Sequence, residues 1–165
     1  MHDATGFTEL LDRHRGILIK VAAGYAGSPD ERADLMQDIV AQLWRAWPAC
    51  DPARPFSTWM YRIALNVAIG DLRRRGRQCE HRDLHADEER LSSVPDAGQS
   101  ADPERARQVH ALRAFIAAQR PLDRALPLMH LDGHGHRAIA EVLGIGESNV
   151  STKLSRLRRR IRDEL

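Results

Sequence analysis

The segment from His136 to Val150 reads His-Arg-Ala-Ile-Ala-Glu-Val-Leu-Gly-Ile-Gly-Glu-Ser-Asn-Val, and it constrains the fold of this chain more than any other. An apolar run at helical spacing (Ile139, Ala140, Leu143) stops at Gly144. A second seam follows, with Val150, Leu154, Leu157 and Ile161 at steps of four, three and four. That period belongs to helices rather than strands. Ala140 is small where two helices must approach. Gly144 can take the left-handed conformation that ends a helix without a Cβ clash. The segment therefore predicts two amphipathic helices joined by a tight turn.

The spacing Ala-x3-Gly-x5-Val is that of a DNA-binding helix-turn-helix. The second helix carries Lys153, Arg156, Arg158, Arg159, Arg160 and Arg162, so the candidate reading helix is strongly basic. Many helical hairpins end on glycine without reading DNA, and Arg-rich terminal helices are often solvated faces. The rest of the chain has to decide between these readings.

A length of 165 residues allows one domain or two small ones. With 29% charged and 42% hydrophobic residues, a soluble globular chain is expected. The net charge of +2 hides segregation: basic residues concentrate at 73–77 and 153–162, whereas Gly76–Glu104 holds eight acidic residues against three arginines. Such asymmetry points to local electrostatic footprints. No apolar run approaches the roughly 20 residues that span a bilayer. The N-terminus has no signal pattern. A cytoplasmic protein without direct membrane insertion is expected. Cys50 and Cys79 make no disulfide framework and read as free thiols.

Helical periodicity runs almost throughout. One stripe (Phe7, Leu10, Leu11, His14, Ile17, Leu18, Val21, Ala22, Tyr25) predicts a first helix over about 7–26. Ser28-Pro29-Asp30-Glu31 then offers an N-cap, a proline at the first helical position and a capping box. The second helix, about 29–47, is expected to bury Leu35, Met36, Ile39, Val40, Leu43, Trp44 and Trp47. Pro48 and Asp51-Pro52-Ala53-Arg54-Pro55 end it in a loop. A third helix, about 57–76, packs Trp59, Met60, Ile63, Ala64, Val67 and Leu72. Residues 78–103 read as a flexible acidic linker. Asp102-Pro103 restarts a helix over about 103–119. The expected fold class is all-α. A helical bundle over 1–77 and a helix-turn-helix domain over 104–165 flank that linker.

Two helical modules, the second ending in a helix-turn-helix, resemble the extracytoplasmic-function (ECF) class of bacterial sigma factors over nearly the whole chain. Asp34-Leu35-Met36-Gln37-Asp38-Ile39-Val40-Ala41-Gln42-Leu43-Trp44 is similar to the family's region 2.2. Arg54-Pro55-Phe56-Ser57-Thr58-Trp59-Met60-Tyr61-Arg62-Ile63-Ala64-Leu65-Asn66 is similar to regions 2.3 and 2.4. Residues 136–158 are similar to region 4.2. Three motifs in order are more specific than any one of them.

The resemblance implies a dissociable subunit that directs core RNA polymerase to promoters. Asp34, Gln37, Asp38 and Ala41 would hold the polymerase, through a basic coiled coil of its β′ subunit, with β as a further contact. Like charges at i and i+4 repel slightly, which a basic partner would relieve; the bland alternative is a solvated acidic face. Phe56, Ser57, Arg62, Asn66, Arg73 and Arg74 would take the −10 element, with a base extruded into a pocket walled by the Pro48–Ser57 loop. Arg75 and Arg77 would add phosphate contacts, and Gly70 would let a nucleic-acid backbone come close. The spacing of Trp59 with Ile63 and Val67 favours core over base stacking. Arg137, Ser148, Asn149, Thr152, Lys153, Ser155, Arg156 and Arg159 would read the −35 element, Asn pairing naturally with adenine and Arg with guanine. The family also implies an inhibitory anti-sigma factor.

The chain departs from the family in places. Ala138 stands where glutamate is frequent, and His134 and His136 where an aromatic is frequent. Pro127 is expected to kink or shorten the helix near 121–131. The cluster His130, His134, His136 raises metal binding, but no fourth ligand closes the set. Cys79 beside Arg77 and Arg82 raises thiol redox sensing. No nucleophile–base pair or phosphate loop is present, so no enzyme activity, metal or cofactor is expected. Two other readings stay open: a stand-alone helix-turn-helix regulator on operator DNA, and a metal-dependent hydrolase using the histidines.

Overall fold

Short-range signals start the helices where the sequence places them. Ser28 Oγ accepts from the Glu31 N–H at 3.1 Å, and the Glu31 carboxylate accepts from the Ser28 N–H at 3.2 Å. Pro29 occupies the first turn, where a missing N–H costs nothing. Asp102 caps the next restart by accepting from the Glu104 N–H at 3.0 Å. Each cap satisfies donors otherwise orphaned, at about 1 kcal/mol apiece.

The computed structural model describes residues 3–82 and 102–164, and every regular element in them is helical. The chain divides into two compact units, Met1–Ser93 and Val94–Leu165. The first holds α1 (Ala4–Arg13), α2 (Arg15–Tyr25), α3 (Pro29–Ala46), a single 3-10 turn (Trp47–Ala49) and α4 (Phe56–Arg82). The second holds α5 (Pro103–Ala117), α6 (Pro121–Leu131), α7 (His136–Leu143) and α8 (Glu147–Glu164). The expected linker at 78–103 falls largely outside the described residues, since its first part continues α4 and residues 83–101 are not described. Cys79 also carries no described side-chain surroundings.

In the first unit α2, α3 and α4 close a core around Val21, Leu35, Ile39, Leu43, Met60, Tyr61, Ala64 and Leu65, each at most 1% exposed. Four expectations change here. The single helix over 7–26 is two, broken at His14, whose φ of −105° and ψ of 15° are not helical. The break gives the two halves different partners. Phe7 meets Trp44 and Trp47 edge-on at 5.1 and 5.6 Å, while Ile17, Leu18 and Val21 enter the main core. Trp44 is not core: it is 49% exposed, and Trp47 is the buried tryptophan, its indole N–H donating to the Asp3 carbonyl at 3.2 Å. The third helix runs to Arg82 instead of stopping near 76. Its buried face is rotated by about a third of a turn, because Tyr61, Leu65 and Ala68 are buried while Trp59, Ile63 and Val67 are only partly so.

In the second unit Ile139 and Val142 of α7 and Val150, Leu154 and Leu157 of α8 bury against Ala125, Leu126 and Met129 of α6, with Phe115 and Ile116 from α5. Gly144 ends α7 at φ 67° and ψ 32°, the left-handed cap expected of the turn. Pro127 does not shorten its helix. Residues Pro121–Leu131 run through it and Pro127 is buried. A proline here removes one N–H, to the Asp123 carbonyl, in a helix whose ends are tied by Arg124 N–H to Arg120 O and Asp132 N–H to Leu128 O. No helix among the described residues is long and apolar enough to cross a membrane.

Candidate nucleic-acid interface

Three surfaces carry the residues singled out from sequence. The first is on α3. Asp34, Gln37, Asp38 and Ala41 are all exposed, on the side away from the buried Leu35–Ile39–Leu43 row. Asp34 and Asp38 border a groove that α4 closes with Asp71, Arg74 and Arg75.

The second lies on α4. Arg62, Asn66, Gly70 and Arg73 are exposed and recur at steps of four, four and three, which keeps them on one stripe opposite the core. A Cβ built on Gly70 meets nothing within 4 Å, so the notch it leaves is open to solvent. The neighbouring arginines are not equivalent. Arg74 Nη2 lies 2.6 Å from Asp71 Oδ1. Arg75, expected to touch phosphate, instead turns inward. It donates to the Tyr25 carbonyl at 2.8 Å and to Glu31 at 3.0 Å, and its Nε lies 2.8 Å from Asp71 Oδ2. The Asp71 pairs were legible at i+3 and i+4; the Tyr25 and Glu31 contacts span 50 and 44 positions and were not.

Phe56 and Ser57 open α4 half-buried. Phe56 packs on Trp59 at 5.3 Å, Trp47 at 6.2 Å and His14 at 5.3 Å, so it belongs to an aromatic cluster at the mouth of the loop. His14 was not a sequence candidate. Burial, and then the Arg13 charge, hold its pKa below the ordinary histidine value. Asp51 shapes the loop by accepting from the Ala53 N–H at 2.9 Å.

The third surface is α8 with the start of α7. Ser148, Thr152, Ser155, Arg156 and Arg159 are exposed on the face opposite the Val150–Leu154–Leu157 seam, with Asn149 beside them. Arg137 is exposed in the first turn of α7. Lys153 sits instead on a flank, half-buried, with Nζ 2.7 Å from Asp123 Oδ1. Arg158 and Arg160 also bond within the unit, to His130 and Gln119.

Of the histidine cluster, His130 and His136 approach to 6.4 Å between ring centres, but His130 turns Nε2 toward Arg158. Among the described residues no group of three or more His, Cys, Asp or Glu is placed to hold a metal ion. Cys50 is buried, and burial followed by the Asp51 charge pushes its thiol pKa up, away from reactivity.

Residues 10–78 match the Sigma-70 region 2 family. The chain is 27% identical to the ECF RNA polymerase sigma factor SigE of Mycolicibacterium smegmatis, over 99% of this chain and 65% of that protein's length. It is 29% identical to RNA polymerase sigma factor NccH of Alcaligenes xylosoxydans xylosoxydans, over 96% of this chain and 86% of that one. Identity to the ECF RNA polymerase sigma-E factor of Escherichia coli K12 is 27%, with the same two coverages of 96% and 86%. Among solved structures, the sigma factor RpoE in complex with the anti-sigma factor NepR from Bartonella quintana matches with a TM-score of 0.78 at 19% identity, covering 97% of this chain and 96% of that one. CnrH in complex with the cytosolic domain of CnrY matches with a TM-score of 0.67 at 20% identity, covering 98% and 88%. These two likenesses show the fold; the sequence matches carry the family. Residues 10–78 belong to the Sigma-70 region 2 family, and over nearly its whole length the chain is similar to ECF RNA polymerase sigma factors.

Proposed function

We propose that this chain works in the cytoplasm as a dissociable subunit of RNA polymerase that selects promoters. Residues 1–77 bind core polymerase and the −10 element, residues 104–165 bind the −35 element, and residues 78–103 join them. The observation that carries this reading is the exposed row Ser148, Thr152, Ser155, Arg156 and Arg159 on α8, opposite a fully apolar seam. Hydroxyls and guanidinia spaced along one helix face are the groups that meet base edges and phosphates in a major groove. The stripe Arg62–Asn66–Arg73 beside the Gly70 notch would meet the −10 strand, and Asp34, Gln37, Asp38 and Ala41 would meet a basic surface of β′.

An anti-sigma factor is the proposed inhibitory partner. Both solved neighbours named above were captured as complexes, RpoE with an anti-sigma factor and CnrH with the cytosolic domain of CnrY. A stand-alone operator-binding regulator would leave the acidic face of α3 and the α4 stripe without a task. The deciding experiment mixes the purified chain with core bacterial RNA polymerase and sequences transcripts started on genomic DNA. Initiation at a small set of sites sharing two motifs is expected; no association and no transcripts would discard the reading.

A further inference from the structure

The outward face of α8 is exposed, but both its flanks are gripped. On one flank Lys153 meets Asp123, thirty positions earlier in the first turn of α6, at 2.7 Å. Arg160, on the same flank, donates to Gln119 Oε1 at 2.8 Å and lies 5.1 Å from the Phe115 ring centre. On the other flank Arg158 Nη2 lies 2.6 Å from His130 Nε2 in the last turn of α6. At about 100° per residue, Lys153 and Arg160 fall on one side of the Val150–Leu154–Leu157 seam and Arg158 on the other.

The grip differs in kind from the seam. Apolar contacts are non-directional, so a seam of Val and Leu tolerates small rotations of the helix about its axis. Charge-assisted hydrogen bonds are directional, and two on opposite flanks resist rotation both ways. A guanidinium has no lone pair to offer, so His130 Nε2 must accept and its ring must be neutral, with the proton on Nδ1. The charged and titratable groups facing His130 are Arg158 from α8 and His136 from α7. Burial first, then those two groups, hold its pKa below the ordinary value.

We infer that Asp123 and His130 are positioning residues for α8. By holding Lys153 on one flank and Arg158 on the other, they set the roll of the helix and so decide how Ser148, Thr152, Ser155, Arg156 and Arg159 meet the groove. The inference rests on the promoter-reading function proposed above. Neither residue touches DNA; each acts through a basic side chain that charge counting alone would assign to phosphate.

The test uses the full chain with core polymerase, and the strongest promoter recovered from its transcripts with the upstream element randomised. Asp123→Ala is expected to change which bases are preferred by a few-fold at one or more positions, and Asp123→Lys combined with Lys153→Asp to restore much of the wild-type profile. Lower yield with an unchanged profile would overturn the role of Asp123, because a merely stabilising residue changes amount and not preference. His130→Gln keeps an acceptor that cannot be charged. It is expected to hold one profile from about pH 7.5 to about pH 5, whereas the wild type shifts toward the acid end of that range, where a histidine held below its ordinary pKa takes up its proton. Identical behaviour of the two proteins over that range would overturn the role of His130. A wild type that starts no transcripts at all would overturn the promoter-reading function itself, and this inference with it.

Discussion

Arg75 on α4 and Glu31 on α3 lie 44 positions apart and meet at 3.0 Å, Nη1 to Oε2. That oxygen already accepts the N–H groups of Gly27 at 2.9 Å and Ser28 at 3.2 Å. One carboxylate thus caps α3 and, through Arg75, ties the α2–α3 corner to α4; the same guanidinium reaches the Tyr25 carbonyl at the end of α2. With side chains 24% and 35% exposed, the pair is partly screened. Arg75→Ala should lower the stability of the first unit by about 1–2 kcal/mol, through the loss of the bonds to Glu31 and the Tyr25 carbonyl. All three tryptophans lie in that unit, so urea denaturation followed by their fluorescence reads it alone. Arg73→Ala, at an exposed position, should change the same midpoint by less than about 0.5 kcal/mol and instead weaken promoter binding. Equal destabilisation by both variants would contradict the division of labour between these arginines.

Gly70→Ala separates fold from function. The added methyl meets nothing within 4 Å, and glycine inside a helix is unfavourable. The variant should therefore be more stable by about 0.5–1 kcal/mol. If a nucleic-acid strand passes against the notch, the same variant should start fewer transcripts despite its added stability. Unchanged transcription would place the strand elsewhere.

Gly144 carries the turn between α7 and α8 at φ 67°. There is space for a methyl, since no atom lies within 4 Å of the built Cβ. The cost of Gly144→Ala is therefore conformational, about 1–2 kcal/mol for an L-residue held left-handed. For a unit this small, thermal denaturation by far-ultraviolet circular dichroism should show its transition fall by roughly 4–15 °C. Gly146→Ala is the control, because Gly146 does not have a positive φ.

His14 gives the first unit a pH dependence of definite sign. Burial and the Arg13 charge hold its folded pKa below the ordinary value of about 6.5 that it takes when unfolded. As pH falls the unfolded chain takes up the proton first, so the contribution is complete above the unfolded pKa and is lost as pH falls toward the folded one. Fluorescence-detected urea midpoints should decline from about pH 7.5 to about pH 5.5 in the wild type, and less steeply in His14→Asn. Parallel curves would show that the ring against Phe56 is not the titrating group.

Much of this protein was legible in order along the chain. The Ser28–Glu31 capping box, the Asp102-Pro103 restart and the left-handed Gly144 all depend on bonds and dihedrals within a few residues, and all stand where the sequence places them. The outward row on α8 follows as well, because its seam is strictly periodic. By itself the sequence determined where α3 and α5 start, with their caps, and the helix-turn-helix. The tertiary structure decided which of several equivalent residues each helix turns inward. Trp47 rather than Trp44 is buried, α4 presents Tyr61 and Leu65 rather than Ile63 and Val67, and the first stripe breaks at His14. It also decided which cations remain on the surface: Arg73, Arg156 and Arg159 are exposed, while Arg75 and Lys153 meet Glu31 and Asp123. The reason is range. Capping and turn energies are complete within one turn of helix, whereas burial and ion pairing depend on groups 30 to 50 positions away, whose approach only the packed fold specifies.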